Sequence, residues 1–330
     1  MKKIDLTSSE IGMLWTQYVQ NSMTVQILSY LLATVEDEEI KAVVTYALEI
    51  ARDVTSDTRS FFKEEGLPIP KGFTEEDVEV NAPKLFLDPF ILMFLESIGK
   101  AGAAAHAVSL AVSSRKDVRD LFTKSATNTM KLYNMSVDTG LAKGLYVRPP
   151  QIDVQDEVEY VEGKKYFSPF NKRVLNTVEL IHLFENIKTN SIGEMICTGF
   201  AQTTKSKKIQ SYMERGKQIS RKHSKVFADI LMDSDIRPPM PSSGCVTNST
   251  SPVFSDRLMM FFKSVLSAAG QGNYSTASTA SMRYDLVLNY QRLSVEIALY
   301  AQDGADILMK NGWLEEPPQA LDRKELRKKS

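Results

Sequence analysis

The chain is written twice. Ser113-Ser114-Arg115-Lys116-Asp117 returns as Ser281-Met282-Arg283-Tyr284-Asp285 at an offset of 168 positions. The same offset carries Phe86 to Phe254, Ala101-Gly102 to Ala269-Gly270 and Pro149-Pro150 to Pro317-Pro318. Upstream the offset is 169, matching Leu6 to Leu175, Glu10 to Glu179, Asn21-Ser22 to Asn190-Ser191, Ile40 to Ile209 and Pro70 to Pro239. The one-residue change falls between Pro70 and Phe86, where an irregular connection tolerates it. A duplication restricts architecture strongly, because both copies must fold into the same supersecondary unit. With 330 residues and 43% hydrophobic content, the chain has apolar material for two cores of about 150 residues each. The expected division is residues 1–150, a linker over 151–172, residues 173–320 and a charged tail over 321–330.

Within each copy the signals are helical. Thr7 and Glu10 have the spacing of a capping box, flanked by Leu6 and Ile11 as an apolar staple, and Asn176 with Glu179 repeats it between Leu175 and Leu180. Leu14, Tyr18, Val25 and Leu28 then keep helical spacing. A second helix begins in Glu36-Asp37-Glu38-Glu39, where acidic groups suit the positive end of the helix dipole, and runs to Gly66. Leu67-Pro68-Ile69-Pro70-Lys71-Gly72-Phe73 breaks the pattern, since proline lacks an amide donor and biases its predecessor toward extended geometry. Asp88-Pro89 opens a third helix, with Asp88 read as its N-cap. The small residues Ala101 to Ala105 let a neighbour approach. The fourth helix follows the Ser113 corner and stops near Gly144.

Two tight turns and one connection of roughly 20 residues match ferritin-like connectivity; an up-and-down bundle would turn in two to eight residues. The predicted fold class is therefore all-α, a tandem repeat of two ferritin-like four-helix bundles, each with a long crossover from its second to its third helix. In the linker, Val158 to Phe167 has the alternation of a small hairpin about Glu162-Gly163.

A formal net charge of −1 exerts no overall pull toward nucleic acid or anionic membrane. Behind Met1-Lys2-Lys3-Ile4-Asp5 there is no apolar segment, and the longest apolar run, Phe90 to Leu95, is too short to span a bilayer. A soluble, cytoplasmic protein is expected. Cys197 and Cys245 lack ligand-like spacing and read as free thiols. Lys205, Lys207, Lys208, Arg215, Lys217, Arg221, Lys222 and Lys225 make the second helix of the second copy basic. With Tyr212 as the one aromatic nearby, nucleic-acid binding is disfavoured. Docking on an acidic surface, of the other copy or of a neighbouring molecule, is the expected use. A protein partner or self-association is thus allowed, and no membrane partner is expected.

Pro70-Lys71-Gly72-Phe73-Thr74-Glu75-Glu76-Asp77-Val78, Ala82-Pro83-Lys84-Leu85-Phe86-Leu87-Asp88 and the paired Ser-x-Arg-x-Asp corners resemble a family of duplicated helical proteins from spore-forming bacteria, domain of unknown function 3231. The resemblance covers essentially the full chain. It implies a ferritin-like fold, and some relatives carry the label "putative spore coat protein". It supplies no catalytic residue. The second copy lacks the Gly-Phe and Asp-Val pairs, so any role of that segment belongs to the first.

A ferritin-like fold raises the question of a di-metal centre, which needs a Glu from each of two helices and Glu-x-x-His from each of the other two. Glu179-Leu180-Ile181-His182 is the one match. Glu179 is already a cap, and Met13 stands where the first copy would need its histidine, so Glu179 and His182 are weak metal candidates and no cofactor is expected. His106 lies among alanines, opposite Tyr274 in the other copy. His223 sits among Arg221, Lys222 and Lys225, which repel a cation. Ser113, Arg115, Asp117, Ser281, Arg283 and Asp285 form either a polar binding corner or a structural one in which Ser113 or Ser114 caps the next helix. Asn21 and Asn190 fall on inward-facing positions and fix helix register. The sequence favours a non-enzymatic structural or interaction protein, associated with sporulation or the spore coat as the resemblance implies; a metal-dependent or small-molecule-binding protein is the alternative.

Overall fold

The computed structural model describes residues 4–153, 157–170, 172–239, 244–323 and 327. Most of the charged tail, and residues 240–243 of the second crossover, lie outside them. Among the described residues there are eight α-helices: α1 Ser8–Thr34, α2 Glu38–Glu64, α3 Asp88–Ala111, α4 Lys116–Ala142, α5 Thr177–Thr203, α6 Lys207–Met232, α7 Asp256–Ala280 and α8 Tyr284–Lys310. They make two tandem halves of four, each built from two helical hairpins joined by a long crossover. Both expected capping boxes form, at Thr7 and Asn176. Helix α3 begins one residue early, with Leu87 at its cap. The Asp88 carboxylate instead accepts from the amides of Glu36 and Asp37 in the α1–α2 turn.

Where the duplication led to an expectation of two separate cores, the main core is shared between the halves. A single cluster of buried apolar residues runs from Leu14, Leu28 and Phe94 in the N-terminal half to Phe200, Met213, Phe254 and Phe262 in the C-terminal half. Rings stack or meet edge to face along it: Phe86 on Phe90, Phe94 on Phe262, Phe254 on Tyr30. A smaller cluster fills the far end of the C-terminal half. Helix α3 is long and apolar enough, by length and composition, to cross a membrane; Phe90, Ile91, Leu92, Phe94 and Leu95 lie buried in the shared core.

The crossovers hold the halves together. They run antiparallel, with isolated bridges between Val78 and Phe254 and between Phe86 and Val246. Phe73, whose amide donates to Ser22 Oγ of α1 (3.1 Å), packs on Phe261 of α7, and Arg257 lies over its ring. Gly72 adopts φ +59 against Ser22 and Tyr18, a conformation and a clearance that suit glycine. Asp77 pairs with Arg257 at 2.6 Å and accepts from Ser255 Oγ at the start of α7. The Gly-Phe and Asp-Val pairs of the first crossover are therefore a latch onto the second half. Helices α3 and α5 add a buried pair, Lys188 to Glu96 at 2.7 Å.

The linker does not form the expected hairpin. A 3₁₀ turn, Lys164–Phe167, stands there. Val158 and Tyr160 are 84% and 87% exposed, so a hairpin would have no apolar face to bury. Tyr166 under the Arg173 guanidinium and Phe167 against Tyr284 anchor the segment instead.

Candidate functional site

Each Ser-x-Arg-x-Asp corner is organised by a carboxylate from the opposite hairpin. Glu10 Oε2 accepts from the Thr7 amide (2.7 Å), closing the cap of α1, while its Oε1 accepts from the amides of Ser114 (2.8 Å) and Arg115 (2.7 Å) at the start of α4. One buried carboxylate thus caps two helices. Burial alone would raise its pKa, but the amides of Arg115, Thr7 and Ser114 and the Thr7 hydroxyl outweigh it and hold Glu10 at about 2. Glu179 does the same for α5 and α8 through the amides of Asn176, Met282 and Arg283. Burial again opposes, and the bidentate Arg173 with the amides of Asn176 and Arg283 holds the carboxyl below its ordinary value.

The side chains named by the motif are arranged around that carboxylate. Arg115 makes a bidentate pair with Asp117 and reaches Glu65 and the Ile4 carbonyl. Arg283 repeats this with Asp285 and the Arg173 carbonyl. The serines do not cap the following helices. Ser113 and Ser281 donate back to Ser109 and Ala277, and Ser114 donates to Glu10, because the glutamate already occupies the free amides. Glu179 is committed to this corner, while His182 is half-buried, with its pKa lowered by burial. Among the described residues no group of three or more His, Cys, Asp or Glu is placed to hold a metal.

The halves differ at four matched buried positions, one from each helix. Leu28, Val43, Leu95 and Leu132, one from each helix of the N-terminal half, are buried and apolar. Their counterparts at the repeat offset are Cys197, Tyr212, Lys263 and Tyr300, also buried. Tyr212 and Tyr300 stack at 4.3 Å, and each hydroxyl donates to the other's backbone carbonyl at 3.2 Å. Gly216 and Gly304 make room: a Cβ at either would collide with the opposing tyrosine hydroxyl. Lys263 is 6% exposed, lies 5.3 Å from the centre of the Tyr300 ring, and sits beside the Cys197 thiol. Burial pushes that thiol up, with the Lys263 charge opposing.

Beside this layer a cleft of about 490 Å³ opens between the halves and enters the interior of each. Its walls are largely apolar, with the small residues Ala101, Ala104, Ala105, Ala268 and Ala269 along its length and Lys263 and His106 among its polar groups. His106 is 3% exposed, and its Nδ1 has no hydrogen-bond partner. Burial lowers its pKa to about 4, so the imidazole is neutral at neutral pH. The volume lies within the range of small-molecule sites.

Asn21 and Asn190 both border this cleft, half-buried. Asn21 donates to the carbonyl of Gln17; Asn190 donates to that of Asn186 and to the Tyr274 hydroxyl at 2.8 Å. His223 Nδ1 lies 3.0 Å from the same hydroxyl and its Nε2 3.1 Å from Glu296. The basic α6 finds acidic partners within its own half rather than on the other copy: Arg215 with Asp303, Arg221 with Glu194 and Lys222 with Glu296. Sequence reasoning passed over Lys263. Its signal was available, since the repeat offset aligns it with a leucine.

Comparison with known proteins places the chain in a family. The crystal structure of a putative spore coat protein from Bacillus halodurans C-125 is similar at 18% identity and a TM-score of 0.41, covering 46% of this chain and 98% of that one. None of the curated proteins compared matches the chain. The family described as protein of unknown function DUF3231 matches residues 1–158 and again residues 167–326. With both halves matched, the chain belongs to that family.

Proposed function

We propose that the protein is a non-enzymatic binding protein: two ferritin-like four-helix bundles, joined through their crossovers, that hold a small, mainly apolar molecule in the cleft between them. The observation that carries this reading is the preformed 490 Å³ cleft with apolar walls that reaches into both halves. The two-hairpin arrangement with long crossovers supports the ferritin-like assignment. The corners serve stability, since their charged groups are satisfied by one another. This reading takes the small-molecule branch of the sequence-based alternatives over a purely structural scaffold. The family resemblance makes sporulating cells the place to seek the natural ligand.

Titration with the neutral fluorescent probe N-phenyl-1-naphthylamine tests the reading. Saturable binding to the full chain is expected, together with its loss when the exposed cleft alanines are filled in Ala105→Phe and Ala269→Phe. Probe binding that is absent, or unchanged in both filled variants, would refute it.

A further inference from the structure

Two lysines line the cleft, Lys100, which pairs with Glu185, and Lys263. Lys263 stands where the first copy carries Leu95, within a buried layer whose counterpart is wholly apolar. An ammonium taken out of water is costly unless an anion compensates it. Beside Lys263 lie the Cys197 thiol and the face of Tyr300, and neither carries a negative charge in its ordinary state. The carboxylates that act on this layer have partners of their own: Glu214 pairs with Lys217, Glu194 with Arg221 and Asp303 with Arg215. Among the described residues, Lys263 forms no ion pair. It nevertheless borders the cleft, whose walls beyond it, at Phe262, Leu266 and Ala269, are apolar.

We propose that Lys263 is the anion-binding end of the cleft, and that the occupant is a single-chain carboxylic acid with an apolar tail, a fatty acid by chemical class. The inference rests on the reading of the cleft as a binding site and adds the head group. The carboxylate pairs with Lys263 Nζ in a dry layer where a charge-assisted contact is strong. The tail lies along the apolar wall of α7 toward Ala101 and Ala105 of α3. A compact anion would satisfy the charge but leave the apolar walls wet. His106 Nδ1, unpartnered on the N-terminal side, is free to take a second polar group on the tail.

The test compares dodecanoate, dodecanol and inorganic phosphate by isothermal titration against the full chain and against Lys263→Leu, which installs the first copy's residue. Dodecanoate is expected to bind the wild-type chain about tenfold or more tighter than dodecanol, the size of one hydrogen bond to a charged group. Phosphate should bind far more weakly. Lys263→Leu should bind dodecanol as before and lose the preference for the acid, with an unchanged far-UV circular dichroism spectrum. Lys263→Arg, which keeps the charge, should retain the preference and serves if the leucine variant does not fold. Equal binding of acid and alcohol, or a preference that survives in Lys263→Leu, overturns the head-group assignment and leaves the cleft reading standing. Phosphate binding as tight as dodecanoate overturns the apolar tail. Binding of neither dodecanoate nor dodecanol overturns both readings.

Discussion

Replacing Glu10 by glutamine keeps the shape of the first corner and removes its charge. Glutamine has one acceptor oxygen, so it cannot serve the amides of Thr7, Ser114 and Arg115 together, and its amide nitrogen must face at least one of those donors. The carboxyl is held at about 2, against an ordinary value of 4.5. That difference corresponds to about 2 to 3 kcal/mol of stability at neutral pH, allowing for the corner's position near the end of two helices. Unsatisfied amides add to the loss. Glu10→Gln should therefore lower the unfolding free energy by about 3 kcal/mol at pH 7, read from urea unfolding followed by circular dichroism.

The pH dependence separates charge from shape. Glu10 binds its proton more readily in the unfolded chain than in the folded one, so its contribution is complete above about pH 5 and is lost as pH falls toward 2. The gap between wild type and variant should shrink by about half from pH 7 to pH 3. Glu179→Gln should behave alike, since its carboxyl is also held low, and there it also leaves Arg173 without its partner. A cost below about 1 kcal/mol at pH 7, or a gap that stays constant down to pH 3, would refute the view that one ionised carboxylate caps two helices.

Gly304→Ala should destabilise by about 1 to 3 kcal/mol, because the new methyl group meets the hydroxyl of a stacked, hydrogen-bonded Tyr212 that has no room to retreat. Gly272→Ala, with nothing within 4 Å, is the control and should be neutral or stabilising by up to about 1 kcal/mol; equal urea midpoints for the two would refute the tyrosine–glycine packing. Asp77→Ala leaves the half-buried Arg257 without its carboxylate and should cost about 2 kcal/mol, while making the 65–87 crossover the first site of limited proteolysis. A crossover as protected as in the wild type would refute the latch.

What was legible in the sequence follows its local rules. Capping boxes at Thr7 and Asn176, breaks at Pro68 and Pro70 and acidic first turns act over three or four residues, and they placed the helices to within a residue or two. The linker hairpin failed because alternation without an apolar face to bury does not hold a strand pair. Capping by Ser113 or Ser114 failed for a different reason: the competing acceptor, Glu10, lies about a hundred residues away in sequence and arrives only when the hairpins pack.

By itself, then, the sequence determined a helical unit, its duplication, and the charged residues that terminate each helix, since all of these are written in short-range spacing and a constant offset. Tertiary structure alone decided that the main core is shared between the halves and that a cleft remains between them. It also decided that Lys263 stands beside that cleft. The reason is physical: burial, an unpaired charge and an empty volume are properties of surfaces brought together from several helices, and no single stretch of chain contains them.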